Sequence, residues 1–231
     1  MAASNGMTPS LAKERAIGGA RGQRAAFERI RDAILQGHLR PAEHLVEQQL
    51  AERYSVTRGS IRQALFDLTA EGLVERVPNR GCRVRVVTVD EAVAITEVRM
   101  ELEGLCAAKA AERITDEEAA ELRQLGIRMQ EAVETNEPAH YAKLNIALHS
   151  QIREIGHQPL AEDLLTRLNA QLVRQRFQLS LRAGRPRQSL SEHLEMIEAV
   201  ATHDPERARL AVRTHLASVI EALKATLQAD G

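Results

Sequence analysis

Residues 47–77 constrain the fold of this chain more than any other stretch. Their sequence, EQQLAERYSVTRGSIRQALFDLTAEGLVERV, predicts two helices that meet at a short turn, followed by a strand that starts after Gly72. Thr57 stands at the N-cap of the second helix, where its hydroxyl can accept a hydrogen bond from the backbone N–H of Ser60. The apolar face of that helix consists of Ile61, Leu65 and Leu68. This pattern predicts a helix-turn-helix.

The start of the second helix carries two arginines among small residues. We predict that Arg58, Gly59, Ser60 and Arg62 occupy the solvent-facing first turns of this helix. The guanidinium fork of arginine matches the O6 and N7 acceptors of guanine, and it also binds phosphate. Such a helix, braced by another, is typical of proteins that read the major groove of DNA. The alternative is an ordinary helical hairpin whose arginines are merely solvated.

A β-hairpin is predicted directly after the helix-turn-helix. In LVERVPNRGCRVRVV, residues 78–81 form the turn, and apolar valines then alternate with arginines. Arg80 and Gly81 lie at the basic tip, where they can approach the DNA backbone or the minor groove. A hairpin in this place makes the whole unit a winged helix, which is a more specific pattern than either half alone.

The distribution of charge agrees with a nucleic-acid partner for the first part of the chain only. The net charge of the 231 residues is −1. Residues 1–87 hold 14 lysines and arginines against 9 acidic residues, whereas residues 88–231 hold 17 against 23. A basic front and an acidic rear are expected if the front alone meets phosphate.

Cysteine usage and hydropathy bear on the compartment. Cys82 and Cys106 lie far apart, and their spacing suits neither a metal site nor a disulfide framework. No apolar run approaches the length of a membrane span, and the N-terminus lacks the apolar core of a signal peptide. We therefore expect a cytoplasmic protein.

Three segments are predicted along the chain. Residues 1–22 are polar and lack periodicity, so we expect a disordered arm, although its basic residues could touch DNA. Residues 23–87 are the winged helix-turn-helix. Residues 88–231 are all-helical, with a polar junction at 88–91 and six helices separated by short turns marked by Pro or Gly. The predicted fold class is mainly α, a winged helix-turn-helix followed by an antiparallel six-helix bundle.

Three histidines are predicted to point into the interior of the bundle. His149 follows Asn145 by one helical turn, and apolar residues in line with His193 and His215 turn both of those side chains inward. Three imidazoles from three helices suit a borderline divalent ion such as Zn²⁺. The alternative is that each is an ordinary core histidine, because spacing does not show that the helices converge.

The chain resembles the GntR superfamily of bacterial transcription regulators, in its FadR-type branch with a C-terminal FCD effector domain. The resemblance covers about residues 23–225. It is carried by EQQLAERYSVTRGSIRQAL, EGLVERVPNRG, EVRMELEGLCAAKAA, LNIALHSQI, SEHLEMIEAVATHD and RTHL. It implies a homodimeric regulator, most often a repressor, that binds double-stranded operator DNA. It also implies that the bundle binds a small organic acid and often a metal ion.

The resemblance assigns residues to the DNA interface. Arg58 and Arg62 would contact bases and phosphates, supported by Thr57, Gly59, Ser60 and Gly81. Gln48 lies where some relatives carry an arginine to DNA. This chain departs from the family pattern at Ser55, Ser60 and Gln63, where Gly, Pro and Glu are usual.

The resemblance also assigns a metal and effector site. The metal ligands would be Asn145, His149, His193 and His215, holding zinc, nickel or another divalent ion. Asn145 stands where an aspartate is usual, and a neutral amide is the poorer ligand. Arg99 would bind the acid group of the effector, with Arg174 as a second candidate. The alternative for Arg99 is an ion pair with Glu103 on the helix surface.

Two further functions fit parts of the sequence. A metal-dependent hydrolase could use the histidine cluster, because three histidines with open positions also form a catalytic zinc site. The sequence offers no carboxylate or histidine placed beside the cluster as a base, and the winged helix would have no role. A constitutive architectural DNA-binding protein would leave the inward histidines unexplained. The sequence thus predicts a regulator and not an enzyme.

Overall fold

A computed structural model of the protein describes residues 16–173, 175, 179, 182 and 184–227. The chain divides into two compact units, with the boundary between Val86 and Val87. The first unit contains α1 (Gly19–Leu35), β1 (His44–Leu45), α2 (Glu47–Tyr54), α3 (Arg58–Ala70), β2 (Val74–Val77) and β3 (Gly81–Val84). The second unit contains α4 (Val89–Arg113), α5 (Asp116–Glu134), α6 (Pro138–Gly156), α7 (Pro159–Gln171), α8 (Arg185–Ala201) and α9 (Pro205–Leu227). The prediction of a mainly α fold class is confirmed.

The helix-turn-helix consists of α2 and α3, joined by a turn at Ser55. Ser55 adopts the left-handed conformation (φ 53°), which is the reason that glycine is usual at such a position. Thr57 caps α3, because its Oγ1 accepts a hydrogen bond from the backbone N–H of Ser60 at 3.2 Å. The apolar face of α3 is fully buried, with Ile61, Leu65 and Leu68 each at most 2% exposed.

The wing belongs to a three-stranded antiparallel sheet with strand order β1-β3-β2. The predicted hairpin is present, with Val74 opposite Val84 and Val77 opposite Gly81. The sequence did not indicate the third strand, because β1 has only two residues and no alternation can be read from it. At the tip, Asn79 and Gly81 have positive φ values of 60° and 83°, so the turn needs a residue that tolerates the left-handed region.

The disordered arm predicted for residues 1–22 is wrong for residues 16–22, and residues 1–15 lie outside the described part of the chain. The backbone N–H of Ile17 donates to the carbonyl of Ser55 at 3.0 Å, and the N–H of Thr57 donates to the carbonyl of Ile17 at 3.0 Å. Helix α1 then begins at Gly19. The buried face of α1 is formed by Gly22, Ala26, Ile30 and Ala33.

The second unit is a bundle in which α4 packs along α9 and α6, while α5 packs against α8 and α6. Three alanines of α4, Ala107, Ala110 and Ala111, face this core, so neighbouring helices approach closely. The fully buried Leu122, Met129, Leu148, Met196 and Leu216 fill it. A capping box is present at the start of α5, where the side chains of Thr115 and Glu118 each accept from the other's backbone N–H.

The ends of some elements differ from the sequence-based expectation. The polar junction predicted at residues 88–91 is the N-cap and first turn of α4, because the hydroxyl of Thr88 accepts from the N–H of Glu91 at 3.2 Å. Helix α7 ends at Gln171. In the described part of the chain, no helix is long and apolar enough to cross a membrane.

Candidate functional site

The three inward histidines come together in the helical unit. Helices α6, α8 and α9 contribute His149, His193 and His215, and one ring nitrogen from each lies within 4.8 Å of the others. The ring centroids of His193 and His215 are 4.4 Å apart, and each lies 5.4 Å from that of His149. All three side chains are buried. The convergence that sequence spacing left open is therefore a property of the fold, and this triad could bind a metal ion.

Each imidazole has an outer partner at its Nδ1 atom. Glu103 Oε2 lies 3.0 Å from Nδ1 of His149, and Glu192 Oε2 lies 2.7 Å from Nδ1 of His215. The hydroxyl of Tyr141 lies 2.9 Å from Nδ1 of His193. Partners of this kind fix the ring orientation and tautomer of metal-binding histidines. Nε2 is then the nitrogen of each ring that can bind an ion.

Unpartnered polar atoms show that the residues fit a divalent cation. Within the described residues, the buried Nε2 of His193 and the buried Oδ1 of Asn145 have no hydrogen-bond partner. A buried polar atom without a partner is costly, and both atoms are lone-pair donors of the type that metals accept. Asn145 also lines the cavity beside the triad. The donor set suits zinc or a similar borderline ion.

The electrostatics of the cluster keep His193 and His215 neutral and the carboxylates of Glu103 and Glu192 charged. Burial lowers the pKa of His215 to about 4, and burial also lowers the pKa of His193 well below its ordinary value, with the charge of His215 adding to the effect. Burial alone would raise the pKa of Glu103, but Arg99 and His149 outweigh it and hold that pKa well below the usual range. Metals bind neutral imidazole, so little proton competition is expected near neutral pH.

A cavity of about 70 Å³ adjoins the histidines. Two arginines, Arg99 and Arg185, lie on its wall together with His149 and His215. The arginines and the histidines give the cavity a lining suited to an anion.

Arg99 is paired with Glu103, as the alternative reading held, but the pair does not lie on the helix surface. The side chains of Arg99 and Glu103 are 6% and 4% exposed, and Nε and Nη2 of Arg99 donate to Oε1 at 2.9 and 2.7 Å. The i, i+4 spacing showed the pairing, but burial depends on α6, which packs against α4. Arg174 lies outside the described residues.

Sequence reading missed four residues around the triad: Glu103 as a histidine partner, Tyr141, Arg185 and Glu192. Arg185 is buried, and it contacts the Ser218 hydroxyl and Glu192. Glu192 stands next to His193 in sequence, yet it contacts His215 of the neighbouring helix. Two carboxylates, Glu103 and Glu192, thus lie beside the histidines, but each contacts Nδ1 of a ring. No sequence signal marks these residues, because each acts across a helix–helix contact.

In the winged unit, most of the predicted DNA-binding residues are exposed. The side chains of Arg58 and Arg62 are 62% and 66% exposed. Solvent also reaches Gln48, Thr57, Gly59, Arg80 and Gly81. Ser60 is the exception, because it is 4% exposed and lies against Gly22 of α1. The prediction that Ser60 faces solvent was wrong, and its hydroxyl instead contacts that of Thr57 at 2.9 Å.

Comparison with protein-family models covers both units. Residues 23–84 match the bacterial regulatory proteins of the gntR family, and residues 94–218 match the FCD domain. This chain belongs to the GntR family and carries an FCD domain. It is thus a transcriptional regulator, and the resemblance inferred from sequence is confirmed.

Curated relatives are GntR-type regulators of similar length. The transcriptional repressor RspR of Escherichia coli is 25% identical over 84% of this chain and 86% of its own. The Nta operon transcriptional regulator of Aminobacter aminovorans is 28% identical over 78% of this chain and 83% of its own. Among solved structures, Escherichia coli McbR/YncC has a TM-score of 0.73 at 20% identity, covering 89% of this chain and 98% of that one. That likeness supports the fold of this GntR protein.

The metal-free protein should lose stability as the pH falls from about 6.5 to about 4. Burial depresses the folded-state pKa of His193 and His215, so unfolded chains bind protons in this window while folded chains do not. This stability is fully present above pH 6.5. His215 alone should contribute on the order of 3 kcal/mol.

Urea denaturation in the presence of a chelator, at intervals between pH 7 and pH 4.5, measures this loss. Carboxylates whose pKa is lowered in the folded protein, such as that of Glu192, change the stability only at a pH below this measured range. The variant His215→Gln should show a shallower pH dependence than wild type. Equal slopes of unfolding free energy against pH for the two proteins would contradict the assignment of this loss to His215.

Proposed function

We propose that this GntR regulator binds double-stranded operator DNA as a homodimer and responds to a small carboxylate bound beside a divalent metal ion. The observation that carries the proposal is the buried histidine triad, with an outer partner on every ring and an arginine-lined cavity next to it. A constitutive DNA-binding protein has no need of such a cluster. We propose a cytoplasmic protein without enzymatic activity.

DNA recognition is assigned to the exposed start of α3. Arg58 and Arg62 are the base and phosphate contacts, and Thr57 fixes the helix start that presents them. Gln48, Gly59, Arg80 and Gly81 complete the proposed interface, and Ser60 supports it from below. Each protomer of a dimer would place one α3 in a half-site, so the operator would be a short pseudo-palindrome.

The metal site is assigned to His149, His193 and His215 with Asn145 as the fourth donor. Zinc is the proposed ion, and nickel or another borderline metal would suit the same donors. A bound divalent ion would supply positive charge and open coordination for a carboxylate oxygen. The neutral amide of Asn145 leaves the site more positive than an aspartate would, which favours an anionic ligand.

The effector is proposed to be a small organic acid held by arginine. Arg185 and Arg99 both line the cavity, and an arginine can bind a carboxylate with two parallel hydrogen bonds. Glu103 already engages the Nε and Nη2 atoms of Arg99, so Nη1 is the atom with which Arg99 would meet a ligand. Arg174 remains a candidate by family resemblance only.

Regulation would follow from a difference in effector affinity between two states of the protein. Helix α4 carries Arg99 and Glu103, and its first residue follows the winged unit by three positions in the chain. An effector that binds one arrangement of α4 more tightly would shift the population toward it, and DNA affinity would change by the same coupling. Repression is proposed because the relative RspR is named a repressor.

A metal-dependent hydrolase is the weaker alternative. Glu103 and Glu192 lie beside the histidines, but each is occupied with Nδ1 of a ring, where it orients a ligand. A hydrolase would need a carboxylate free to accept a proton from water. Burial alone would raise the pKa of Glu192, but the hydrogen bond with His215 lowers it, with smaller contributions from Ser218 and Arg185, and this makes Glu192 a weaker base.

Arg58→Ala and Arg62→Ala should each weaken binding to duplex DNA from the region upstream of the gene. The expected cost is on the order of 1–3 kcal/mol, because each arginine loses base or phosphate contacts. Fluorescence anisotropy at several salt concentrations measures it. Arg24→Ala, which removes an exposed arginine of α1, should change affinity little. Wild-type protein that shows no salt-dependent binding would refute the DNA-binding assignment.

His193→Ala should abolish tight zinc binding, since it removes one of the three imidazole ligands. Tyr141→Phe, which removes only the outer partner of His193, should weaken zinc binding by about 10- to 100-fold. Competition with a chromophoric chelator measures affinity, and elemental analysis measures content. His140→Ala removes an exposed histidine of α6, next to Tyr141, and serves as the control. Unchanged zinc content in His193→Ala would contradict the site.

At least one small carboxylate should stabilise the zinc-loaded protein and change its affinity for DNA. At a carboxylate concentration of about one hundred times its Kd, the melting temperature of the protein should rise by roughly 5–10 °C. A thermal-shift screen of mono-, di- and tricarboxylates tests this, followed by anisotropy with the duplex. Arg185→Lys keeps the charge but loses the planar fork, so it should lose most of the shift. A screen without any response would count against the effector class.

A further inference from the structure

The arginines at the start of α3 share one acidic partner in the winged unit. Glu47 is the first residue of α2, and its Oε1 and Oε2 atoms accept from Nε and Nη2 of Arg62 at 3.1 and 2.9 Å. The Oε2 atom also lies 3.9 Å from Nη2 of Arg58. One carboxylate therefore ties the first helix of the motif to both arginines of the second.

The edge of the guanidinium that Glu47 occupies decides what Arg62 can still do. A guanidinium has five N–H donors, and the side-on edge made by Nε and one hydrogen of Nη2 is used by the carboxylate. The end-on edge, made by Nη1 and the other hydrogen of Nη2, points away from Glu47. Two parallel donors on that edge match the O6 and N7 acceptors of one guanine. The ion pair thus leaves intact the edge that can read a base.

We propose that Glu47 is a positioning residue that holds Arg62 for end-on readout of a base and thereby sets the sequence specificity of DNA binding. The inference rests on the proposed DNA-binding function. Fixing the long side chain before binding lowers the entropy lost when it meets its acceptor. The ion pair with Glu47 also keeps Arg62 from binding DNA phosphates regardless of sequence.

The charge of Glu47 adds a penalty against the wrong DNA. The hydrogen bond from Arg62 lowers the pKa of Glu47, so the carboxylate is ionised at neutral pH. Its side chain is 29% exposed, beside arginines that are about two-thirds exposed. A carboxylate this close to the duplex repels phosphate. Binding is then favourable only where Arg62 gains a base contact that offsets the repulsion.

Pairing of this geometry does not by itself mark a function. Arg123 with Glu198 and Arg207 with Glu195 form similar two-bond pairs on the helical unit, where they bridge exposed helix faces. Glu47 differs in its location. It joins α2 to the leading end of α3, and it contacts two arginines that are both predicted to reach DNA.

Glu47→Gln tests the inference in the full-length protein. The probes are a duplex selected by the wild-type protein from a randomised library and a scrambled duplex of the same composition. The control is Glu28→Gln, which removes the same charge from an exposed carboxylate paired with Arg24 on α1. Thermal melting of each variant checks folding. Glu47→Asp keeps the charge and provides a second variant.

Glu47→Gln should bind the selected duplex more weakly and the scrambled duplex more tightly, so the affinity ratio should fall at least about tenfold. Its salt dependence on the scrambled duplex should steepen by about 0.9, because the released Arg62 gains a phosphate. Glu28→Gln should keep the wild-type ratio. Glu47→Asp should retain the weak affinity for scrambled DNA.

Two results would count against the inference in different ways. A ratio for Glu47→Gln within about twofold of wild type, with the wild type still discriminating between the duplexes, overturns the role of Glu47 and leaves DNA binding standing. A wild-type protein that cannot enrich any duplex overturns the proposed function itself. If Glu28→Gln lowers the ratio of affinities for the two duplexes as much as Glu47→Gln does, the loss of specificity comes from net charge. That result also overturns the inference.

Discussion

The helical unit depends on a buried carboxylate that must stay charged. Glu103 is 4% exposed, and it lies between Arg99 on its own helix and His149 of α6. Desolvation of an ion costs several kcal/mol, and only close, well-formed partners offset that cost. If Arg99 moved away, the buried carboxylate of Glu103 would therefore be left without its main counter-charge. This constraint fixes the orientation of His149 and the position of one arginine in the cavity wall at the same time.

Around the other two imidazoles, too, one residue contacts both a histidine and the cavity or its arginine. Glu192 serves both His215 and Arg185, and Tyr141 holds His193 while lining the cavity. Histidine orientation and cavity charge are consequently not independent features of this fold. A ligand that engages an arginine of the wall acts on a residue that already positions a histidine or its carboxylate, which is how a metal and an acid could influence each other's affinity.

In the winged unit the ionic contacts lie at the surface, so their role differs. Exposed ion pairs contribute little to stability, commonly about 0–1 kcal/mol. The pair between Glu47 and Arg62 is better understood as a device that limits where a side chain points than as one that holds the fold together. The stability of this unit comes instead from the apolar face of α3, which packs against α1. Orientation and stability are thus supplied by different residues.

The amino-acid sequence on its own determined the helix-turn-helix, the wing, the capping box at Thr115, the inward facing of three histidines and the family. These signals depend on near neighbours in the chain. The tertiary structure alone decided that α6, α8 and α9 converge, that Ser60 is covered by Gly22, and that Arg99 with Glu103 is buried. Each of those facts is a contact between helices distant in sequence, which no periodicity along one helix can encode.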